Sequence, residues 1–209
     1  MANLVALRRQ RERSLDQEWI VVDGGSSDGT AEACRVYPDW TFISVKPGGR
    51  AHQMNTGAAL ARKPTLLFLH ADTVLPPQWQ TLLQQALAPT DVVGGAFRIS
   101  YQSQTIPHWL CHWLAFRSRH SRFPYGDQAM FVRREVFDSV GGFPQQAIME
   151  DFELSRRLWR RGRLQLISEP VLTSARRFEP SQAMRQRYQQ HIWFPLVAIG
   201  VALRTGLLM

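Results

Sequence analysis

Cysteine is scarce in this chain. Cys34 and Cys111 are its only two among 209 residues, far apart and outside any C-x-x-C pattern, so neither a disulfide framework nor a zinc site is indicated. Such usage fits a reducing cytoplasm, with both thiols as small core residues. Long apolar runs are also missing. The uncharged stretch Ile192–Leu203 is 12 residues long, too short for a bilayer, and Pro195 and Gly200 interrupt it. Acidic residues are outnumbered, 17 against 25 Lys and Arg, giving a net charge of +8. That balance favours anionic partners such as phosphorylated donors, anionic lipid surfaces or nucleic acid. No zinc-finger, helix-turn-helix or RNP-type pattern supports nucleic acid. The apolar opening Met1–Leu7 precedes Arg8, Arg9, Arg11 and Arg13. That order is the reverse of a secretory leader and reads as an amphipathic helix. No repeat, low-complexity segment or G-x-G-x-x-G fingerprint occurs, which weakens a dinucleotide-binding reading.

What the chain does have is a set of acids placed where apolar runs end: Trp19-Ile20-Val21-Val22-Asp23, Leu66-Leu67-Phe68-Leu69-His70-Ala71-Asp72 and, later, Met149-Glu150-Asp151. Short Ile, Val, Leu and Phe runs bounded by turn residues read as buried strands, and ligands of open α/β sheets bind beyond strand carboxyl ends. Crowded carboxylates repel one another, so a divalent cation with a nucleotide or sugar phosphate explains them better than stability does. The pass along the chain predicts strands at 19–23, 42–46, 65–70, 92–101 and 129–133. Between and after them it predicts helices over 28–36 and 50–61, one opened by Pro76-Pro77, a Trp-rich one around Trp109 and Trp113, a short one ending at Gly141-Gly142, and one over 151–161. This alternation predicts a Rossmann-like α/β domain, a mostly parallel sheet with helices on both faces. With 44% hydrophobic residues the chain can bury one substantial core.

Several motifs carry chemistry, each beside a plainer alternative. In Asp23-Gly24-Gly25-Ser26-Ser27-Asp28-Gly29-Thr30, glycines allow tight turning and Ser and Asp suit a helix cap. Asp23 could accept hydrogen bonds from a base or ribose, or the loop could be turn and cap alone. Asp72 can hold Mg2+ or Mn2+ if diphosphate oxygens and water complete the octahedron. His70 reads as a rim histidine or a ribose partner. The segment from Gly48 to Gly57 brings Arg50 and Asn55 to a helix start, which favours anions. Glu150-Asp151 opens a helix, a common capping arrangement and also a platform for a general base; Asp127, beside Gln128, is the competing base. Arg176 and Arg177 could reach a diphosphate from a late loop. Trp109, Trp113, Phe116, Phe123 and Tyr125 read as core packing or an acceptor wall.

Together these residues resemble glycosyltransferase family 2, of the GT-A fold. The resemblance rests on the DGGSSDGT loop, Gly49-Arg50 to Asn55-x-Gly57, Asp72 as the retained acid of a DxD-type motif, Gly141-Gly142-Phe143-Pro144, and Glu150-Asp151 before a basic helix. It covers roughly residues 3–178, and small bacterial enzymes of the arsenosugar-biosynthesis type are similar. The resemblance implies inverting transfer from a nucleotide-diphosphate sugar. Asp23, Gly24, Ser26, Asp28, Arg50, Asn55, His70, Ala71 and Asp72 would bind the donor, Asp72 would hold Mg2+ or Mn2+, and Asp151 would be the general base beside Glu150. Asp127, Gln128, Arg176 and Arg177 would face the acceptor or the diphosphate.

Three departures qualify it. His70 replaces the first acid of the DxD motif. Ser174 and Phe178 give no Gln-x-x-Arg-Trp pattern, so transfer of a single sugar is expected rather than polymer synthesis. Relatives also open with a central apolar strand, whereas this chain begins in what reads as the following helix. Losing that strand would expose backbone on two neighbours, so Met1 is expected to be an internal methionine. The expected organisation is a domain over 1–178 and a partly apolar helical appendage over 179–209. The appendage would lie on an anionic membrane, on the body of the protein or on a second subunit, as in a homodimer. A nucleotidyltransferase, or a non-catalytic nucleotide-binding or membrane-associated scaffold, is the rival reading; the former lacks its Gly-rich, Lys-bearing phosphate loop.

Overall fold

The computed structural model describes residues 17–174 apart from 28, 39, 46–48, 103–106, 122 and 147. Strands β1 (Trp19–Asp23) and β2 (Trp40–Ser44) pair in parallel, with α1 (Thr30–Arg35) between them. Helix α2 (Gly49–Leu60) leads to β3 (Thr65–Phe68), the two-residue β4 (Thr73–Val74) and α3 (Trp79–Leu87). The long β5 (Val92–Gln102), α4 (His108–His120), a 3-10 turn (Gly126–Gln128), β6 (Met130–Arg133) and α5 (Arg134–Ser139) follow. Helix α6 (Glu150–Trp159) and β7 (Arg163–Ser174) close the described chain.

The second sheet runs β3-β6-β5-β7-β4. Its β5–β7 pair is parallel, while β3–β6, β5–β6 and β4–β7 are antiparallel. The α/β class stands as expected, and the strand directions are a correction: the sheet is mixed. Apolar runs reveal burial but not direction, and β4 and β7 carried no clear signal. In β7 the register against β5 jumps from Phe97↔Ile167 to Arg98↔Pro170, so the bulge around Ser168 and Glu169 breaks the alternation by which a strand is read. Among the described residues, nothing pairs with the second edge of β1 or of β3.

Alternate side chains of the central strands pass to opposite faces. Phe97, Ile99 and Phe131 join Leu83 and Leu87 of α3 and Leu110, Cys111 and Leu114 of α4. Ala96, Met130 and Val132 join Ala51 and Ala58 of α2, Phe137 of α5 and Leu154 and Leu158 of α6. A third, smaller cluster forms around Cys34 and Trp40, with Leu69 packed against it. Both cysteines are buried free thiols, as expected. Burial and the nearby Asp23 charge push the Cys34 thiol up.

Gly94 and Gly95 let β5 thread between its neighbours. A β-carbon on Gly95 would lie 1.8 Å from the carbonyl oxygen of Gln165, and one on Gly94 would lie 2.6 Å from that of Phe131. Both obstacles are backbone, so no rotamer change relieves them.

Candidate active site

Helix α6 begins after Met149, which adopts a left-handed conformation (φ 67°) uncommon for a residue with a β-carbon. Its first turn carries Glu150, Asp151 and Glu153, a favourable end for negative charge. Glu150 and Asp151 are nonetheless buried, at 2% and 7% exposure, so each requires partners.

Arg50 at the start of α2 supplies one of them. Its Nε donates to Glu150 Oε1 at 2.7 Å, its Nη2 lies 2.5 Å from the same oxygen, and Nη2 is 3.8 Å from Asp151 Oδ2. Asp151 is oriented by backbone: Gly126 N–H donates to Oδ2 at 2.7 Å and Phe152 N–H to Oδ1 at 2.7 Å. A β-carbon at Gly126 would lie 3.0 Å from Asp151 Oδ2 and 3.4 Å from His70 Nε2, so glycine keeps space between those two side chains. Ser155 of α6 donates to Pro124 O at 2.8 Å, tying the approach to the 3-10 turn down to the same helix.

His70 opens the turn that holds Asp72, since Thr73 N–H donates to His70 O at 3.0 Å. The Asp72 carbonyl accepts from Ser174 N–H at 3.2 Å and from Thr173 Oγ at 3.4 Å, and Thr73 and Thr173 hydroxyls meet at 3.0 Å. The end of β7 is thereby fixed beside Asp72. Asp72 is partly exposed and Ala71 exposed.

Asp23 ends β1 with a carboxylate that accepts from its own loop and from Ser44 of β2. It accepts from Gly25 N–H at 2.9 Å, Ser26 N–H at 3.0 Å, the Ser26 hydroxyl, and Ser44 Oγ at 3.5 Å. The Ser26 hydroxyl foremost, then these amides and the Ser44 hydroxyl, hold its carboxyl below the usual range against the opposing effect of burial. Gln53 of α2 reaches this loop: its Nε2 lies 1.9 Å from where a β-carbon on Gly24 would be. Helix α2 therefore touches both ends of the site, Gln53 at the Asp23 loop and Arg50 at the Glu150–Asp151 pair.

Three of the expected ligand residues also have partners within the protein. The Asn55 amide is occupied by Phe143, donating to its carbonyl at 2.8 Å and accepting from its N–H at 2.9 Å. Gln128 is completely buried, donating to Phe97 O at 3.1 Å and accepting from Tyr125 N–H at 2.9 Å, so it pins the 3-10 turn. Asp127 is as buried as Asp151, and its Oδ2 accepts from the Tyr101 hydroxyl at 2.9 Å. Asp28, Arg176 and Arg177 lie outside the described residues. Gln53 and Gly126 went unrecognised in the sequence: one acts by reach across the fold, the other through its backbone N–H, and neither leaves a side-chain signature.

No group of three or more His, Cys, Asp or Glu side chains converges among the described residues. A closed protein cage for a metal is therefore not built there. A single carboxylate such as Asp72 suits instead a hard cation that arrives with phosphate oxygens and water.

Compared with known proteins, residues 2–147 match the pattern of Glycosyl transferase family 2. The chain belongs to that family. No curated protein sequence matches this family 2 chain. Among solved structures it is similar to the mannosyltransferase PcManGT from Pyrobaculum calidifontis in complex with GDP-Man and Mn2+, with TM-score 0.63 and 23% identity over 91% of this chain and 57% of that one. It is also similar to GalNAc-T7 with UDP, GalNAc and Mn2+, with TM-score 0.62 and 14% identity over 82% of this chain and 40% of that one. At those identities the likeness establishes a shared fold, that of GT-A glycosyltransferases, and this family 2 chain spans about half the length of each.

Proposed function

We propose that this chain transfers a single sugar, with inversion, from a nucleotide-diphosphate sugar to an acceptor hydroxyl. The observation that carries the reading is the pair at the start of α6. Glu150 is neutralised by Arg50, whereas Asp151 is held by the Gly126 amide in the space shared with His70. Two adjacent acids are thus assigned separate tasks. Glu150 positions Arg50, and Asp151 keeps oxygen lone pairs available to the acceptor hydroxyl.

In this mechanism the acceptor oxygen forms its bond to the anomeric carbon as the bond from that carbon to the diphosphate oxygen breaks. The hydroxyl proton passes to Asp151 and the electron pair of the broken bond leaves with the nucleotide diphosphate. No covalent nucleophile is required. Asp72 would hold Mg2+ or Mn2+, which when bound supplies positive charge to the departing diphosphate. The Asp23 loop, with Gly24, Ser26 and Gln53 beside it, would face the base or ribose. Arg176 and Arg177, close in sequence to the Ser174 anchor at Asp72, would approach the diphosphate. We assign the activity to residues 1–178 and a cytoplasmic setting, in keeping with the free thiols.

The deciding experiment is a screen of nucleotide sugars, each with Mn2+, by thermal unfolding and by release of nucleoside diphosphate. One donor should raise the unfolding temperature and be turned over, and Asp72→Ala should abolish both effects. If no donor shifts the wild-type protein, the reading fails and a non-catalytic scaffold takes its place.

A further inference from the structure

Helix α4 is apolar on two opposite faces. Leu110, Cys111 and Leu114 face the core. Trp109, Trp113 and Phe116, at spacing i, i+4 and i+7, form a second stripe on the far side of the helix. Their exposures of 69%, 42% and 59% are high for large aromatic side chains. Exposed apolar patches of a few hundred Å2 are often functional.

The charge around it selects the partner. From Val92 to Gly126 the sequence has no Asp or Glu, while Arg117 and Arg119 belong to the helix and Arg122 follows it closely. A second copy of the chain fits poorly, because pairing this face with itself would oppose like charges in a protein of net charge +8. Covering the three aromatics, each of about 150–250 Å2, at these exposures would bury roughly 250–430 Å2. One partner in a stable protein interface contributes about 800 Å2. An anionic lipid surface meets both conditions: it needs no shape complement, accepts tryptophan rings at the headgroup level and attracts arginine.

We propose that the exposed aromatic face of α4 docks this protein on anionic lipid bilayers. The helix ends at His120, and Gly126, whose N–H orients Asp151, is only six residues further on, at most about 22 Å of chain. Docking therefore brings the candidate base close to the bilayer. The acceptor class this suits is a hydroxyl borne by a lipid, an extension that rests on the transfer activity proposed above.

The test is flotation of the full chain with vesicles of phosphatidylcholine alone or of equal parts phosphatidylcholine and phosphatidylglycerol, without any nucleotide sugar, so that its failure leaves the donor reading untouched. Wild-type protein should float with the anionic vesicles only. Trp109→Ser/Trp113→Ser should lower the bound fraction about tenfold or more while circular dichroism and the unfolding temperature stay unchanged. Arg119→Glu, an exposed change that spares the stripe, should weaken binding severalfold and settles the matter if the double variant misfolds. Unaltered binding by the variants would overturn the proposal, as would wild-type protein that ignores anionic vesicles. So would light scattering that shows a wild-type dimer converted to a monomer by the double change, because the face would then be a self-interface.

Discussion

Asp151 and Glu150 are neighbours with different surroundings, and single substitutions should separate them. Asp151→Asn keeps the shape of the side chain and removes its capacity to take a proton. It should lower kcat about 10²–10⁴-fold while donor-induced thermal stabilisation persists. Arg50→Ala leaves Glu150 buried without its cation, at a cost of about 1–3 kcal/mol read from urea unfolding. Arg50→Lys restores charge without the planar fork and should recover part of that loss. Gly126→Ala pushes a methyl between Asp151 and His70, so it should reduce kcat with less effect on stability. Away from the site, Arg156 and then Arg157 hold Glu153 down from 4.5 to about 2. Because the folded form binds fewer protons than the unfolded one in that range, this contribution is complete above about pH 4.5 and disappears as pH falls toward 2. Unfolding midpoints measured across that range should decline with acid, and less steeply in Glu153→Gln.

At the scale of elements, two local fits hold the site in place. Asn55 fastens α2 to Phe143 through two hydrogen bonds, so Asn55→Leu leaves a backbone donor and acceptor unsatisfied. A loss of about 2–6 kcal/mol is expected in chemical unfolding, from roughly 1–3 kcal/mol for each orphaned group. Gly95→Ala forces β5 away from the Gln165 carbonyl and should destabilise more than any surface change, visible as poor soluble yield or a markedly lower unfolding temperature. Strands rich in Val, Ile and Leu were legible in the sequence because their burial leaves continuous apolar runs. β7 was not, since it carries Arg163, Gln165, Ser168, Glu169 and Pro170 and is recruited by pairing along β5. Tertiary pairing overrode a weak local preference.

Across the whole molecule, α2 links the Asp23 loop to the Glu150–Asp151 pair, while β4 and the end of β7 fix the Asp72 turn. A donor bridging these parts should stabilise the domain by mass action, by about 2.7 kcal/mol at a hundredfold excess over Kd. The sequence by itself determined that acids end the apolar runs, that the thiols are unpaired core residues, and that Asp23, Asp72 and Asp151 stand at element boundaries. Those properties follow from composition and local spacing. Only the tertiary structure decided which partners these polar groups meet: Asn55 is joined to Phe143, Asp127 to Tyr101, Gln128 to Phe97 and Tyr125, and Asp151 to the Gly126 amide. A side chain's hydrogen-bonding capacity belongs to its residue type, whereas the partner that occupies it is set by which distant segments packing brings alongside.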